Sequence, residues 1–241
     1  MIAALSSDLF ARHQDQLEEQ GFVYQPHLPP DFDWRSHLRR LGEFVARDNP
    51  SGVSSVQAAP KHRKRSYSNS QNALNPHTEA SFLPQPPRYL AIWGVRPASC
   101  GGGLTTVADG YELLQNFSVE ERLELSRQVR RFPASQDAGW AQGGVNAPVV
   151  DHDEDGKILL RISYNLFQFG RYHPRLDEPP AEERTPLMAD FCAELLEFFH
   201  SRAQGIRVER NSLLVMDNHR MLHARTAFDD PQRHLQNVWI A

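Results

Sequence analysis

Hydrophobic and polar positions change period several times along the chain. Between residues 186 and 201, Leu187, Met188, Phe191, Cys192, Leu195, Leu196 and Phe199 recur at i, i+3 and i+4 spacing, which predicts an amphipathic helix. Thr185 stands at its N-cap, Pro186 at the first helical position and Gly205 beyond its end. Weaker helical patterns run from Ser7-Asp8 to about Glu19 with Gly21 as terminator, from a cap at 31–33 through 34–45, and over 113–128. Short apolar runs at 22–24, 89–93, 213–216 and 235–240 read as strands. Asp155-Gly156 is a hairpin turn signal between Val149-Val150 and the apolar run 158–162. Residues 48–76 have little periodicity and are expected to form a long functional or mobile loop. The sum predicts a mainly β fold with flanking helices, a sandwich or barrel with one long helix laid against it.

The length of 241 residues suits a single domain over 1–241. Seventeen Pro and 14 Gly supply many turns, which favours β architecture over a helix bundle. With 26 basic and 30 acidic side chains the formal charge is −4, so electrostatic binding of nucleic acid is not expected. Two cysteines, Cys100 and Cys192, are too few for a disulfide scaffold or a Cys-rich zinc module. There is no basic, apolar leader at the N-terminus and no apolar run of the ~20 residues a membrane span needs. A cytoplasmic protein is expected. The 11 histidines draw attention to metal binding.

Three histidine-bearing segments compete for that role. His77-Thr78-Glu79 precedes a predicted strand, and in extended backbone residues i and i+2 point to one side, so an imidazole and a carboxylate can meet one ion. His152-Asp153-Glu154 has the same spacing but sits on an acidic hairpin tip, which reads as a solvated turn. The third segment runs from Asp217-Asn218-His219 to His223, with Arg225 and Arg233 beyond. Two histidines and a carboxylate on a β scaffold, leaving open positions, are the facial ligand set of non-haem Fe(II). Gly101-Gly102-Gly103 lacks the GxxxxGK[ST] pattern and is not a phosphate loop. The basic run 61–65 reads as a solvated loop, with a lid or a dock for an acidic partner as its functional alternative.

In order, His77-Thr78-Glu79, Gly102-Gly103-Leu104-Thr105, Asp217-Asn218, His223-Ala224-Arg225-Thr226-Ala227-Phe228 and Arg233-His234-Leu235-Gln236 resemble the taurine dioxygenase-like (TauD/TfdA) superfamily. The resemblance is good over about 75–110 and 211–241 and loose between. It implies a double-stranded β-helix (jelly-roll) core and an Fe(II)- and 2-oxoglutarate-dependent dioxygenase using O2. It implies that His77, Glu79 and His223 bind the metal, with His219 the rival for His223. It also implies that Arg233, ten residues past His223, takes the distal carboxylate of 2-oxoglutarate, helped by Thr105 or Thr106. Glu79 stands where most of the superfamily has Asp, as in the clavaminate synthase group, which acts on amino acids. Members that halogenate have Gly or Ala there.

The expected reaction is hydroxylation or desaturation of an unactivated C–H bond in an amino acid or an amino-acid-derived small molecule, free or bound to a carrier protein. Arg225 is a candidate contact to 2-oxoglutarate or substrate. Tyr67, Asn72, Arg161 and Asn165 are candidate substrate contacts. No nucleic-acid or membrane partner is expected, and a homo-oligomer is compatible. Two other classes remain open at this stage: a cupin-like isomerase or hydrolase holding Zn or Mn on the same three ligands, and a non-catalytic small-molecule binder.

Overall fold

The computed structural model describes residues 2–47, 49–134, 143–182 and 185–241. Helix α1 (Ile2–Gln20) passes into strand β1 (Phe22–Gln25) through Gly21, whose φ of +77° suits a residue without a Cβ. Helix α2 (Trp34–Leu38) is capped by Asp33, which accepts from the Ser36 N–H at 3.1 Å. Then come β2 (Val53–Gln57), a 3-10 turn at Pro60–His62, β3 (Leu74–His77), β4 (Tyr89–Arg96) and β5 (Thr105–Asp109). Helices α3 (Gly110–Leu114) and α4 (Val119–Arg127) are followed by two hairpins. These are β6 (Arg130–Pro133) with β7 (Gly144–Ala147), and β8 (Val150–His152) with β9 (Ile158–Leu160). Helices α5 (Tyr164–Phe169) and α6 (Pro186–Arg202) lead to β10 (Gln204–Ile206), β11 (Leu213–Asp217), β12 (Met221–Arg225) and β13 (His234–Ile240).

The strands form a major sheet, β1-β11-β4-β13-β2, and a minor sheet, β10-β5-β12-β3, with antiparallel pairing throughout. This is the double-stranded β-helix expected from the sequence. Alternation along the major sheet feeds two cores. Leu90, Ile92, Leu214, Met216, Leu235 and Trp239 join one that also takes Leu222 and Ala224 of the minor sheet. It continues to Phe191, Leu195 and Phe199 of α6, capped by Thr185 as predicted. Ala91, Trp93, Leu213, Val215, Val238 and Ile240 face the other way, onto Leu17 of α1 and Trp34 and Leu38 of α2.

Four expectations change. The first helix begins before Ser7, at Ile2. The helix expected over 34–45 stops at Leu38, because the chain beyond it pairs with the end of β13. Ala241 N–H donates to Glu43 at 2.9 Å and Val45 N–H to Trp239 at 2.9 Å. A Cβ on Gly42 would lie 2.0 Å from the Ala241 carbonyl oxygen. The helix expected over 113–128 is two helices, divided at Ser118, which forms a capping box with Glu121. The expected loop 48–76 contains β2 and β3, and α5 was not expected at all.

Candidate metal centre and cosubstrate cavity

The two sheets enclose a cavity of about 310 Å³. Ser54, Val56, Leu90, Ile92, Leu235, Asn237 and Trp239 of the major sheet form one wall, and His77, Thr105, His223 and Arg225 of the minor sheet stand opposite. His77 ends β3 and is the cross-strand partner of His223 on β12, so their ring centroids lie 4.1 Å apart. Between His77 and Glu79, Thr78 points away. Its hydroxyl donates to the Leu160 carbonyl at 3.0 Å and accepts the Ile162 N–H at 3.0 Å. That anchors the segment from behind and leaves His77 and Glu79 on the cavity side, as period-two geometry requires.

Glu79 Oε2 is 3.4 Å from His223 Nε2 and 4.0 Å from His77 Nε2, and one ligand atom from each of the three lies within 4.8 Å of the others. His77 Nδ1–H donates to the Asn75 carbonyl at 2.8 Å, which fixes the tautomer and presents Nε2 as the donor atom. Burial, with the neighbouring His223 adding to it, pushes the His77 imidazole down to about 4, so it is neutral at pH 7, the form that binds metal. Burial alone would raise the Glu79 carboxyl. The hydrogen bond from His223 and the nearby His77, His223 and Arg47 outweigh it and hold it at about 2. Two neutral-capable imidazoles and an ionised carboxylate fit a divalent transition metal with open positions. Ala80, at φ +55°, turns the chain sharply after Glu79. Asn218 clamps that turn: its Oδ1 accepts the Glu79 N–H at 2.6 Å, and its Nδ2 donates to the carbonyls of Glu79 at 3.0 Å and Pro87 at 2.9 Å.

His219 does not reach the triad. Its Nε2–H donates to the Pro86 carbonyl at 3.1 Å and its Nδ1 accepts from Arg88 at 3.2 Å, so it braces the turn before β12. The His152/Glu154 segment is the exposed hairpin tip the sequence suggested.

Arg233 is 3% exposed and lines the cavity with its guanidinium over the Phe228 ring, 5.1 Å from the centroid. Burial pushes it down to about 10, so it stays charged at pH 7. Among the described residues no carboxylate pairs with it, which leaves a buried fork available to an anion. Gly103 makes the room: at φ +72°, a Cβ there would lie 2.9 Å from Arg233 Cδ and Nε. Thr105 lines the cavity and is buried, whereas Thr106 is not part of its lining.

Three expected contacts have their polar atoms engaged by the protein or lie away from the cavity. Arg225 is buried in the cavity wall, but its guanidinium donates to the carbonyls of Ser68 (2.5 Å), Asn72 (2.6 Å), Ser70 (2.8 Å) and Tyr67 (3.3 Å). Through these bonds it shapes the loop that carries Tyr67. Arg161 lies outside the cavity lining and holds the 81–84 turn, through Ser81, Leu83 and Pro84 carbonyls, and Asp151 at 3.0 Å. Asn72 also lies outside it, donating to the Arg63 and Arg65 carbonyls. Tyr67 and Asn165 do line the cavity. Tyr67 packs between the His62 and His173 rings, and Asn165 accepts from Asn75 at 2.7 Å. The sequence reading missed Arg47 and Asn237, and named Asn218 in its motif without giving it a role. Asn237 had left a signal, a polar side chain on the inward face of an otherwise apolar strand between Leu235 and Trp239.

A family model described as Taurine catabolism dioxygenase TauD, TfdA family matches residues 2–239. The chain belongs to this family. The dioxygenase class expected from the sequence therefore holds over the isomerase, hydrolase and binder alternatives. Among solved structures, it is similar to an asparagine oxygenase in complex with Fe(II), 2S,3S-3-hydroxyasparagine and succinate. The identity is 19%, the TM-score 0.74, and the match covers 99% of this chain and 79% of that one. It is also similar to the non-heme iron oxygenase OrfP in complex with Fe and alpha-ketoglutaric acid, at 17% identity and a TM-score of 0.68 over 99% of this chain and 80% of that one. OrfP is further known with (3S)-hydroxy-L-Arg, in a structure matching at 18% identity with a TM-score of 0.67, again over 99% of this chain and 79% of that one. No curated protein sequence matches significantly. Among the described residues, no helix is long and apolar enough to cross a membrane.

Proposed function

We propose that this chain, acting as a single domain in the cytoplasm, uses Fe(II), 2-oxoglutarate and O2 to hydroxylate or desaturate an unactivated C–H bond of an amino acid or amino-acid-derived molecule, free or carrier-bound. The reading is carried by one observation: His77, Glu79 and His223 converge on the wall of a cavity that also holds the buried Arg233. Bound at the three side chains, Fe(II) supplies the coupling of 2-oxoglutarate decarboxylation to oxidation of the substrate by O2. The residues do the rest. Asn75 holds His77 in its binding tautomer. Arg233 forms a charge-assisted fork with the distal carboxylate of 2-oxoglutarate, and Thr105 adds a hydroxyl donor. Phe82, Leu90, Ile92 and Trp239 keep the cavity apolar and limit water around the reacting groups. Tyr67 faces the substrate, and Asn165, whose amide is bonded to Asn75, Ser66 and Tyr172, shapes the wall beside it. The hydroxylated amino acids named in the asparagine oxygenase and OrfP complexes support the substrate class.

The test is an anaerobic titration with Fe(II) and 2-oxoglutarate, which gives a weak visible charge-transfer band. His77→Ala removes the band. Arg233→Met keeps Fe(II) binding but raises the 2-oxoglutarate Kd by roughly 100-fold, the scale for truncating one partner of a buried charge pair. Folded wild-type protein that gives no band overturns the reading.

A further inference from the structure

Asn75 stands two residues before His77 on β3, so the two side chains share the inward face, and Asn75 lines the cavity. Which way its amide is turned is set from behind, through Asn165. The Ser66 hydroxyl donates to the Ala73 carbonyl at 3.2 Å, which leaves its oxygen to accept. Asn165 Nδ2 donates to that oxygen at 3.2 Å and to the Tyr172 carbonyl at 2.9 Å. A carbonyl only accepts, so the Asn165 amide has one orientation, with its Oδ1 left for Asn75. Asn75 Nδ2 donates to that Oδ1 at 2.7 Å.

The polarity of one backbone carbonyl is thereby carried through two amides into the cavity. Asn75 cannot turn over without setting its own Oδ1 against that of Asn165. Its Oδ1 has no hydrogen-bond partner among the described residues and is open to the cavity. Beside the metal ligands the wall therefore holds an acceptor of fixed orientation that lacks a donor. The 2-oxoglutarate dianion has only acceptor oxygens and cannot supply one. An amino nitrogen can, and closing the cavity over the acceptor without such a partner weakens binding.

We propose that Asn75 is the receptor for the amino nitrogen of the substrate, with Oδ1 as the hydrogen-bond acceptor, so that the amino end of the substrate lies against β3 next to His77. A molecule with no nitrogen-bound hydrogen at that end leaves the fixed acceptor unpaired and is rejected. This deepens the dioxygenase reading and rests on it for the chemistry at the metal and the identity of the cosubstrate.

The probes are the common neutral and basic L-amino acids, each paired with the acid that lacks its amino group. Each is added to metal-free protein with 2-oxoglutarate in a thermal-shift assay, and to the Fe(II)–2-oxoglutarate complex, where perturbation of the visible band and succinate release are read. At least one amino acid should bind tenfold or more tightly than its deaminated partner. Asn75→Leu, close in size but without the acceptor, should bring that preference below threefold and raise the amino acid's KM at least tenfold while kcat changes less than threefold. Its Fe(II) and 2-oxoglutarate Kd values should stay within threefold of wild type, because the His77 contact comes from the backbone carbonyl of residue 75. If circular dichroism shows that Asn75→Leu does not fold, the wild-type preference and Asn75→Ala decide. A missing band in wild-type protein strikes the dioxygenase reading, while the thermal-shift arm still decides Asn75. The proposal is overturned if no amino acid shifts the protein, if the deaminated partners bind as tightly, or if a folded Asn75 variant keeps the wild-type preference.

Discussion

Asn218 makes three hydrogen bonds to the backbone around the Glu79 turn, two of them to Glu79 itself. It touches none of the proposed ligand atoms, yet it holds the carboxylate where His77 and His223 can share an ion with it. Supports of this kind set ligand orientation, and their loss weakens metal binding by about 10–100-fold. Asn218→Ala should therefore raise the Fe(II) Kd by that factor, measured by anaerobic titration, with the far-ultraviolet circular dichroism unchanged. Asn218→Asp keeps the acceptor for the Glu79 N–H but loses the donor, and should fall between. An unchanged Fe(II) Kd in Asn218→Ala would remove this residue from the account of the site.

At the scale of elements, the loop entering β5 and the start of β13 are fitted to each other. Gly103 takes a left-handed φ of +72° and leaves space for the Arg233 side chain, and Gly102 lies against the Ala227 carbonyl, 2.3 Å from where a Cβ would stand. A side chain at Gly103 meets both obstacles. The left-handed backbone costs an alanine about 1–2 kcal/mol, and its Cβ pushes Arg233 from its seat. Gly103→Ala should lower Tm by roughly 2–8 °C in a chain of this size. It should also raise the 2-oxoglutarate Kd about tenfold while Fe(II) binding stays as it was. Calorimetry and the band titration read the two effects separately. The apparent phosphate loop is thus a packing device for an arginine. Arg225 acts at the same scale, since its four carbonyl contacts give the 67–72 loop the shape that brings Tyr67 to the cavity.

The whole molecule carries a pH dependence remote from the site. His13 of α1 and His37 of α2 are buried against Phe10 and Phe32 and share one hydrogen bond of 3.0 Å between His13 Nδ1 and His37 Nε2. Burial, then the charges of His13 and Arg40, pushes His37 down to about 4 from 6.5, and burial lowers His13 as well. Between those pH values the unfolded chain binds protons at these positions and the folded chain does not. Their contribution to stability is therefore complete above 6.5 and is lost as pH falls toward about 4, a change of order 3 kcal/mol at most. Urea midpoints measured from pH 7.5 to 4.5 should fall across this window. His37→Gln, which keeps a hydrogen-bonding group beside His13 but does not titrate, should flatten the slope; an equal slope in that variant would refute the assignment.

Local order was readable wherever one face of an element is apolar. The α6 stripe, the Thr185 cap, the Asp155-Gly156 hairpin and the buried strands β4, β11 and β13 follow from periods of 3.6 and two that neighbouring residues already express. The pairing of His77 with Glu79 was legible in their i, i+2 spacing on extended backbone, while His223 and Arg233 were picked out by the resemblance to the TauD/TfdA superfamily and not by any local pattern. Elements whose inward face is polar escaped. Strand β2 hides because Ser54 turns toward a cavity instead of a core, and the 34–45 helix failed because pairing of 43–45 with 239–241 outcompetes local helical preference. Only the closed sheets decide that Arg225 and Arg161 bond to backbone carbonyls, that His219 braces a turn and that Arg47 and Asn237 meet beside Trp239. Such pairings join residues up to 190 positions apart. They depend on which strands become neighbours, and no local pattern encodes that.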